Sequence, residues 1–374
     1  MKKNLLTSFI LLFSFSFFTS DIYSQDTLTH LQDTVRSSST LVIAPALTYG
    51  GYVDTYYSKD NDLDYTLERF PGVSGKRDEF RLNIAMLTVK YFKDNVRGNM
   101  TLQFGDIPDL LWPSESKYIQ EANIGFAFAK NIWIDAGYFV THIGSEGIKP
   151  GENTFSSNAL ISFYEPSTQA GVVLSYFSRR FTGAVYLLNG YNVINDNNKN
   201  KSIGLSLSYK LFKNIEIAYN NIGGNESSDL GDQKLRLYNN FIIRGNFGPN
   251  WTVVLNNDIC FQQRSKVDDN SKMGWMFGGF ITSQYNFTPK YAVSLRGEYL
   301  TDFDEVMSGV YVNSLGETTG LQLFGPSLGF EYKPMDNAYF RIEGRYLKTL
   351  KNLHIFSDNR DYRIDGCLSM GVGF

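Results

Sequence analysis

From Leu47 to Phe374 the sequence keeps a period of two, interrupted by breaks that are alternately short and long. Such alternation places unlike residues on the two faces of a strand. The short breaks are Lys93-Asp94-Asn95, Lys130-Asn131, Ser178-Arg179-Arg180, Lys213-Asn214, Gly248-Pro249-Asn250, Thr288-Pro289-Lys290 and Lys333-Pro334-Met335-Asp336-Asn337. Their Asn, Asp, Gly, Pro and Lys are the chemistry of tight turns. The long breaks fall near 60–78, 106–117, 143–167, 192–200, 224–233, 265–272, 301–317 and 349–361. Seven short and eight long connections join sixteen strands and leave both ends of the array on the short-turn side. Membrane barrels have an even number of antiparallel strands, short periplasmic turns and long extracellular loops. The expected fold is therefore all-β: a transmembrane antiparallel β-barrel of about 16 strands, spanning residues 46–374.

The strand faces say which side is which. Val96–Phe104 sets Val96, Met100, Leu102 and Phe104 against Arg97, Asn99, Thr101 and Gln103. Ile203–Leu211 opposes apolar residues to Gly204, Ser206, Ser208 and Lys210, and Leu235–Phe247 opposes them to Arg236, Asn240, Arg244 and Asn246. A small soluble barrel would turn its apolar row inward. Sixteen strands enclose a lumen too wide for side chains to fill, so the apolar row is expected to face lipid and the polar row water. Mean hydropathy of −0.24 is no objection, because alternation hides lipid-facing residues from an average. Aromatics make up 15% of the chain and gather beside the short turns: Tyr91, Phe92, Trp133, Phe212, Phe247, Trp251, Tyr285, Phe287, Tyr291, Tyr332 and Phe340. They are read as an interfacial girdle.

At one end, Tyr362–Phe374 alternates Tyr362, Ile364, Leu368, Met370, Val372 and Phe374 with small or polar residues. A last strand ending on an aromatic suits a barrel whose final strand pairs with its first, and Phe374 resembles an outer-membrane assembly signal. At the other end, Lys2 and Lys3, the apolar run Leu5–Phe18 and small Ser24 make residues 1–24 a secretory signal. Residues 25–45 are read as a loose periplasmic arm.

The inward rows carry the candidate functional residues. Arg81, Arg97, Arg236, Arg244, Arg296, Glu298, Arg341, Glu343 and Arg345 are expected to line the pore, either setting a transverse field or stiffening the wall as cross-strand pairs. Basic inward residues slightly outnumber acidic ones, a lean toward weak anion preference. The longest loop, about 143–167, holds an apolar patch from Ala159 to Tyr164 that a solvated loop would not need. It is the constriction candidate, with Glu146, Lys149 and Glu152 as lining groups; packing on neighbouring outer loops is the other reading. Cys260 and Cys367 fall on well-separated strands and are read as small wall residues. Asp60-Asn61-Asp62-Leu63-Asp64 resembles part of a calcium loop, but Tyr65 stands where Gly is needed and Pro71 where the bidentate Glu should be. No metal and no cofactor is expected. His142 and His354 show no recognisable catalytic partner, so an enzyme is not expected. A net charge of −3 gives no basic field for nucleic acid.

Several stretches, in order, resemble the OmpL-like β-barrel porins of Gram-negative outer membranes. They are GYVDTYY at 51–57, Arg77-Asp78-Glu79-Phe80-Arg81-Leu82-Asn83, Ala136-Gly137-Tyr138-Phe139, Ile143-Gly144-Ser145-Glu146, and Leu188-Asn189-Gly190-Tyr191. The resemblance covers the whole chain beyond the leader. It implies an outer-membrane diffusion channel for small hydrophilic solutes, held in outer-membrane lipid and inserted by the barrel assembly machinery; it does not imply a catalytic site. The alternative is an anchor or adhesin whose outer loops bind partners.

Overall fold

The structure is a computed structural model that describes residues 46–62, 76–196, 198–226, 234–267 and 269–374. The expected leader (1–24), the arm (25–45) and Leu63, Asp64, Tyr65 and Pro71 lie outside the described residues.

Sixteen long strands close into one antiparallel barrel. They are β1 (Ala46–Asp60), β2 (Phe80–Lys93), β3 (Val96–Phe104), β4 (Ile119–Ala129), β5 (Ile132–Val140), β6 (Thr168–Phe177), β7 (Phe181–Leu188), β8 (Ser202–Lys210), β9 (Ile215–Asn225), β10 (Leu235–Phe247), β11 (Trp251–Gln262), β12 (Gly274–Thr288), β13 (Tyr291–Thr301), β16 (Gln322–Met335), β17 (Ala338–Thr349) and β18 (Tyr362–Gly373). Two short strands, β14 (Tyr311–Val312) and β15 (Thr318–Thr319), pair only with each other in the connection between β13 and β16. The connection from β3 to β4 holds one helical turn and a half, α1 (Asp106–Leu111). Each strand pairs with its chain neighbour in the barrel, as hairpin wiring dictates, and the short turns sit where they were read. Asp94, Asn131 and Gly248 take the left-handed backbone conformation that tight reversals need (φ 51°, 65° and 64°), which Asp, Asn and Gly tolerate best.

Closure is made by β1 and β18, in register from Tyr52↔Gly373 to Asp60↔Asp365. The seam ends on the last residue. Gly51 N–H donates to Phe374 O at 2.7 Å, and Phe374 N–H donates back to Gly51 O at 3.0 Å. Gly51 lets the Phe374 ring lie close to the strand: a Cβ there would stand 2.5 Å from the ring in this position. That ring lies over the outer face of β1 and covers the seam from outside.

The two faces separate as the alternation requires. On β13, Leu295 is 56% exposed and the adjacent Arg296 is 2% exposed. Ile243, Leu328, Ile342 and Met370 point outward in the same way, and among the described residues no helix is long and apolar enough to cross a membrane. Two members of the expected girdle do not belong to it. Trp133 is buried on the inner face, its ring 6.0 Å from that of Phe92, which also lines the interior. Parity explains this: on β5, Ile134 takes the lipid side, so Trp133 must point in.

The interior departs from a lumen whose inner row simply faces water. Toward the long-loop end, inward residues of β10–β13, β16 and β17 are apolar: Tyr238, Cys260, Met276, Phe280, Leu300, Leu323 and Leu347 are all buried. They pack against Leu160 and Ile161 of the longest loop and against Val306, Leu321, Leu353 and Phe356 of others. A second cluster joins Tyr52, Ile84 and Met86 to Ile107 and Trp112, beside Ile148 and Ile194. The outer half of the barrel therefore carries an apolar core made by loops that fold inward. Cys260 and Cys367 are buried and form no disulfide, one on β11 and one on β18.

Leu295→Arg places a charge on the lipid face and is expected to cost about 2–4 kcal/mol near the bilayer midplane. Refolding in lipid should fail or shift to lower denaturant, whereas Leu295→Ile should not differ from wild type. Deleting Phe374 removes the last pair of seam hydrogen bonds and should lower the heat-modifiable, folded fraction on gels.

The interior loop and the chamber beneath it

Residues 141–167, between β5 and β6, run across the inside of the barrel. Near the start of this loop, Gly144 N–H donates to Asn240 Oδ1 on β10 (3.2 Å). Near its end, Glu165 accepts from the Asn256 amide on β11 (3.3 Å). The middle lies against the opposite wall. Gly151 N–H donates to the Tyr52 hydroxyl on β1 (2.8 Å). Ser157 N–H donates to Glu343 on β17 (3.1 Å), which also accepts from Ser156 N–H. Leu160 N–H donates to Glu298 on β13 (2.7 Å). A loop can be buried only if its backbone polar groups find partners, and the inward charges of the wall supply them.

Most of the expected pore-lining residues therefore sit on the inner face but under the loop. Arg296 donates to Ser157 O and Oγ at 2.7 and 2.8 Å, lies 3.5 Å from Glu146, and stacks 4.7 Å over Phe155. Arg345 forks onto Glu298 at 2.8 and 3.0 Å. Arg341 bonds Glu331 through two nitrogens and reaches Pro150 O, Asn153 O and Ser156 Oγ at 2.9–3.2 Å. These three arginines and Glu298 and Glu343 are all at most 5% exposed. Arg81 lies elsewhere, forked onto Asp106 of α1 at the outer rim (2.9 and 2.6 Å). Arg236 bonds Gln262 (2.8 and 2.6 Å) beside Tyr191.

Of the three loop candidates, Glu146 is turned inward, accepting from Ala159 N–H and Ser162 Oγ–H at 2.8 and 2.9 Å and so shaping the loop itself. Lys149 and Glu152 pair with each other at 3.1 Å. Sequence reasoning missed a knot at the seam. Asp54, fully buried, accepts from Asn83 (2.8 Å), Tyr52 (3.0 Å) and Tyr339. Asn83 is the extra residue of a bulge in β2 opposite Asp54 and Thr55. The signal was in plain view: Asp54 is the acid on the inward face of GYVDTYY. Also missed was a ladder of one hydroxyl and three amides, Ser206–Asn220–Asn240–Asn256, that crosses β8–β11 with steps of 2.7–3.0 Å. Asp60 and Asp62 anchor loops, accepting from Arg77 (2.9 Å) and from Ser357 N–H (2.7 Å). No three His, Cys, Asp or Glu converge on a metal position among the described residues.

On the other side of the loop, toward the short-turn end, a chamber of about 710 Å³ remains between the loop and the wall of β1–β7, β9 and β10. Its charged lining is balanced: Lys90, Arg97, Lys149 and Arg244 stand against Glu121, Asp135, Glu146 and Glu152. Arg97 on β3 forks onto Asp135 on β5 at 2.7 and 2.5 Å, with its guanidinium 4.3 Å over the Trp133 ring. β3 and β5 are not neighbours; β4 lies between them and presents Gly125 at the crossing. A Cβ on Gly125 would stand 1.9 Å from Asp135 Oδ1, so the pair exists because that position has no side chain. Asn99 donates to Glu121 at 2.6 Å. His142 stacks on Tyr186 at 4.0 Å, donates from Nε2 to Asn221 O (2.8 Å), and has Nδ1 3.0 Å from Gln169.

A closed sixteen-stranded barrel with a lipid-facing apolar exterior and a loop folded inside defines an outer-membrane β-barrel of the channel type. The family model described as "Putative beta-barrel porin-2, OmpL-like" matches residues 46–374, and the chain belongs to that family. It resides in the outer membrane. Solved structures share the fold. OmpT of Vibrio cholerae matches with a TM-score of 0.57 at 11% identity, over 90% of this chain and 100% of that one. The outer membrane channel DcaP of Acinetobacter baumannii matches at 0.58 and 12%, over 88% and 97%. The anion-selective porin of Comamonas acidovorans matches at 0.57 and 9%, over 88% and 100%. No curated protein matches the sequence.

Arg341→Met strips the loop of its contacts at Pro150, Asn153 and Ser156 and leaves Glu331 without its strongest partner. Breaking a buried pair this way costs about 3–5 kcal/mol. The loop should become cleavable by a nonspecific protease in the folded barrel, while the wild-type loop resists.

Proposed function

We propose that the protein is a porin that passes small hydrophilic solutes by passive diffusion along the β2–β7 side of its lumen. The single observation that carries this is the division of the interior by the loop of residues 141–167. Against β13–β18 it is tied down by buried ion pairs; against β2–β7 it leaves a solvent-sized chamber. Porin-fold neighbours and the family assignment support a channel over an enzyme, and the engagement of both His142 ring nitrogens supports a structural role for that residue. The wall arginines act here mainly as clamps on the loop. Lys90, Arg97, Lys149 and Arg244 border the path together with Glu121, Asp135, Glu146 and Glu152, and because positive and negative lining groups balance, we propose weak ion selectivity in place of the weak anion preference that the inward row suggested. Insertion by the barrel assembly machinery, with Phe374 as its signal, belongs to the same reading.

Single-channel recording of the refolded barrel in planar bilayers tests this. Wild type should give a small conductance, and shortening the loop by deleting residues 147–158 should raise it severalfold. Arg296→Ser should resemble the loop deletion more than a charge change: larger current with little movement of the reversal potential. Folded barrels that conduct in no form would end the channel reading and leave that of an anchor with partner-binding loops.

A further inference from the structure

We infer that the outward face of β9–β13 is an interface whose occupant is the same face of a second copy of this chain, related by a two-fold axis along the membrane normal. This goes beyond the channel reading and does not depend on it. On β10 the lipid-facing row is apolar at Leu235, Leu237, Phe241 and Ile243, each at least 40% exposed. Asn239 breaks it. By parity the outward row also holds Tyr219 and Asn221 on β9, Asn257 on β11 and Tyr299 on β13. Their chain neighbours Asn220, Asn256, Asp258 and Glu298 are buried on the inner side.

The five polar side chains form two hydrogen-bonded groups. Asn221 Nδ2 donates to the Tyr219 hydroxyl (2.9 Å), which donates to Asn239 Oδ1 (2.8 Å), and Asn239 Nδ2 donates to Ile259 O (3.3 Å). Tyr299 donates to Asn257 Oδ1 (2.7 Å) across β12, where Gly279 leaves the way clear: a Cβ there would stand 2.7 Å from Asn257 Oδ1. Two atoms are left over. Asn221 Oδ1 and Asn257 Nδ2 have no partner among the described residues, and neither is sealed beneath other side chains.

Depth makes these groups unfavourable in lipid. Counted from the short-turn end, Asn221 is the seventh residue of β9 from Ile215, Asn257 the seventh of β11 from Trp251, and Phe241 the seventh of β10 from Phe247. Six steps along strands tilted by about 40° raise them about 15 Å above the turns, the middle of an apolar band about 25 Å tall. Lipid tails offer an amide no hydrogen bond, so polar groups at this depth favour a protein face that displaces the tails.

The two leftover atoms select the occupant. One is an acceptor and the other a donor, and they lie at one height on either side of Phe241. Copies of a membrane protein share one orientation, so a two-fold axis between them runs along the normal. Set beside Phe241, that axis brings Asn221 of one copy to Asn257 of the other and, by symmetry, the reverse. Both leftover atoms in both copies are then answered. A different protein would have to offer a donor and an acceptor at the matching depth and spacing; a second copy carries them already.

The test is disulfide crosslinking of the full chain in isolated outer membranes. Phe241→Cys, next to the axis, should give a product of twice the chain mass on mild oxidation. Leu87→Cys, outward on β2 across the barrel, should give none, and the native cysteines are buried. In the Phe241→Cys background, Asn221→Leu and Asn257→Leu each remove both contacts between copies and should lower the crosslinked yield at least fivefold. Leucine suits the lipid face, and heat-modifiable mobility verifies that the variants fold. The two leucine variants, produced together with tags of different size, should recover a mixed dimer, because that pair keeps one intact Asn221–Asn257 contact. A merely structural role for either asparagine predicts no such recovery. No Phe241→Cys product, a product whose mass includes a different protein, equal crosslinking at Leu87→Cys, unchanged yield in a folded leucine variant, or no recovery of the mixed dimer would overturn the inference.

Discussion

Inside a bilayer no water reaches the backbone, so every strand N–H and C=O must be answered by another strand. This requirement governs the molecule. It forces closure, and closure here rests on the pairing of β1 with β18, extended to the final residue by the two hydrogen bonds between Gly51 and Phe374. The same requirement leaves no edge for irregular structure in the wall. Loops can be placed only at the ends or inside. With sixteen strands the inside is large, and the longest loop goes there.

Placing a loop inside a barrel raises the backbone problem again, now without strand partners. The wall solves it with charged side chains. Glu343 and Glu298 take loop N–H groups, while Arg296 and Arg341 take loop carbonyls. Each of these charges is then compensated by its neighbours in the wall, as Arg345 is by Glu298 and Arg341 by Glu331. A buried ion pair contributes little net stability against an apolar replacement, but losing one member leaves a charge that cannot be solvated. The network therefore specifies the position of the loop more than it strengthens the barrel. Because its members come from β13, β16 and β17 alone, the loop is drawn to one side, and the chamber opens on the other.

How much of this could be read beforehand follows from the same physics. The number of strands, their direction and the outward row were legible because period and turn chemistry are local properties: the alternation at Leu295–Arg296 and the turn at Gly248 mean the same thing in any context. The apolar patch Ala159–Tyr164 also signalled that its loop was not fully solvated, and Leu160 and Ile161 are indeed in the outer-half core. What was not legible is what an inward charge faces. Arg296 has one sequence pattern whether it meets water or Ser157. Trp133 was misplaced because nearness to a turn was given more weight than parity. The Arg97–Asp135 pair could not be read at all, since it skips a strand and depends on a missing side chain at Gly125, two facts that lie far apart in the chain.

The loop is held from both sides of the lumen, and this decides what kind of element it is. Gly144 and Glu165 tie its ends to β10 and β11, while Gly151, Ser156, Ser157 and Leu160 tie its middle to β1, β13 and β17. A lid moves because one side is free and a few hinge residues absorb the change. Here, displacement toward either wall breaks bonds on the other, each worth about 1 kcal/mol net, and exposes Leu160 and Ile161 from the core they share with Met276 and Leu300. Those losses fall together, because one rigid displacement severs them all. The loop is accordingly a fixed partition, and the chamber beside it keeps a standing geometry of balanced charges and an aromatic border.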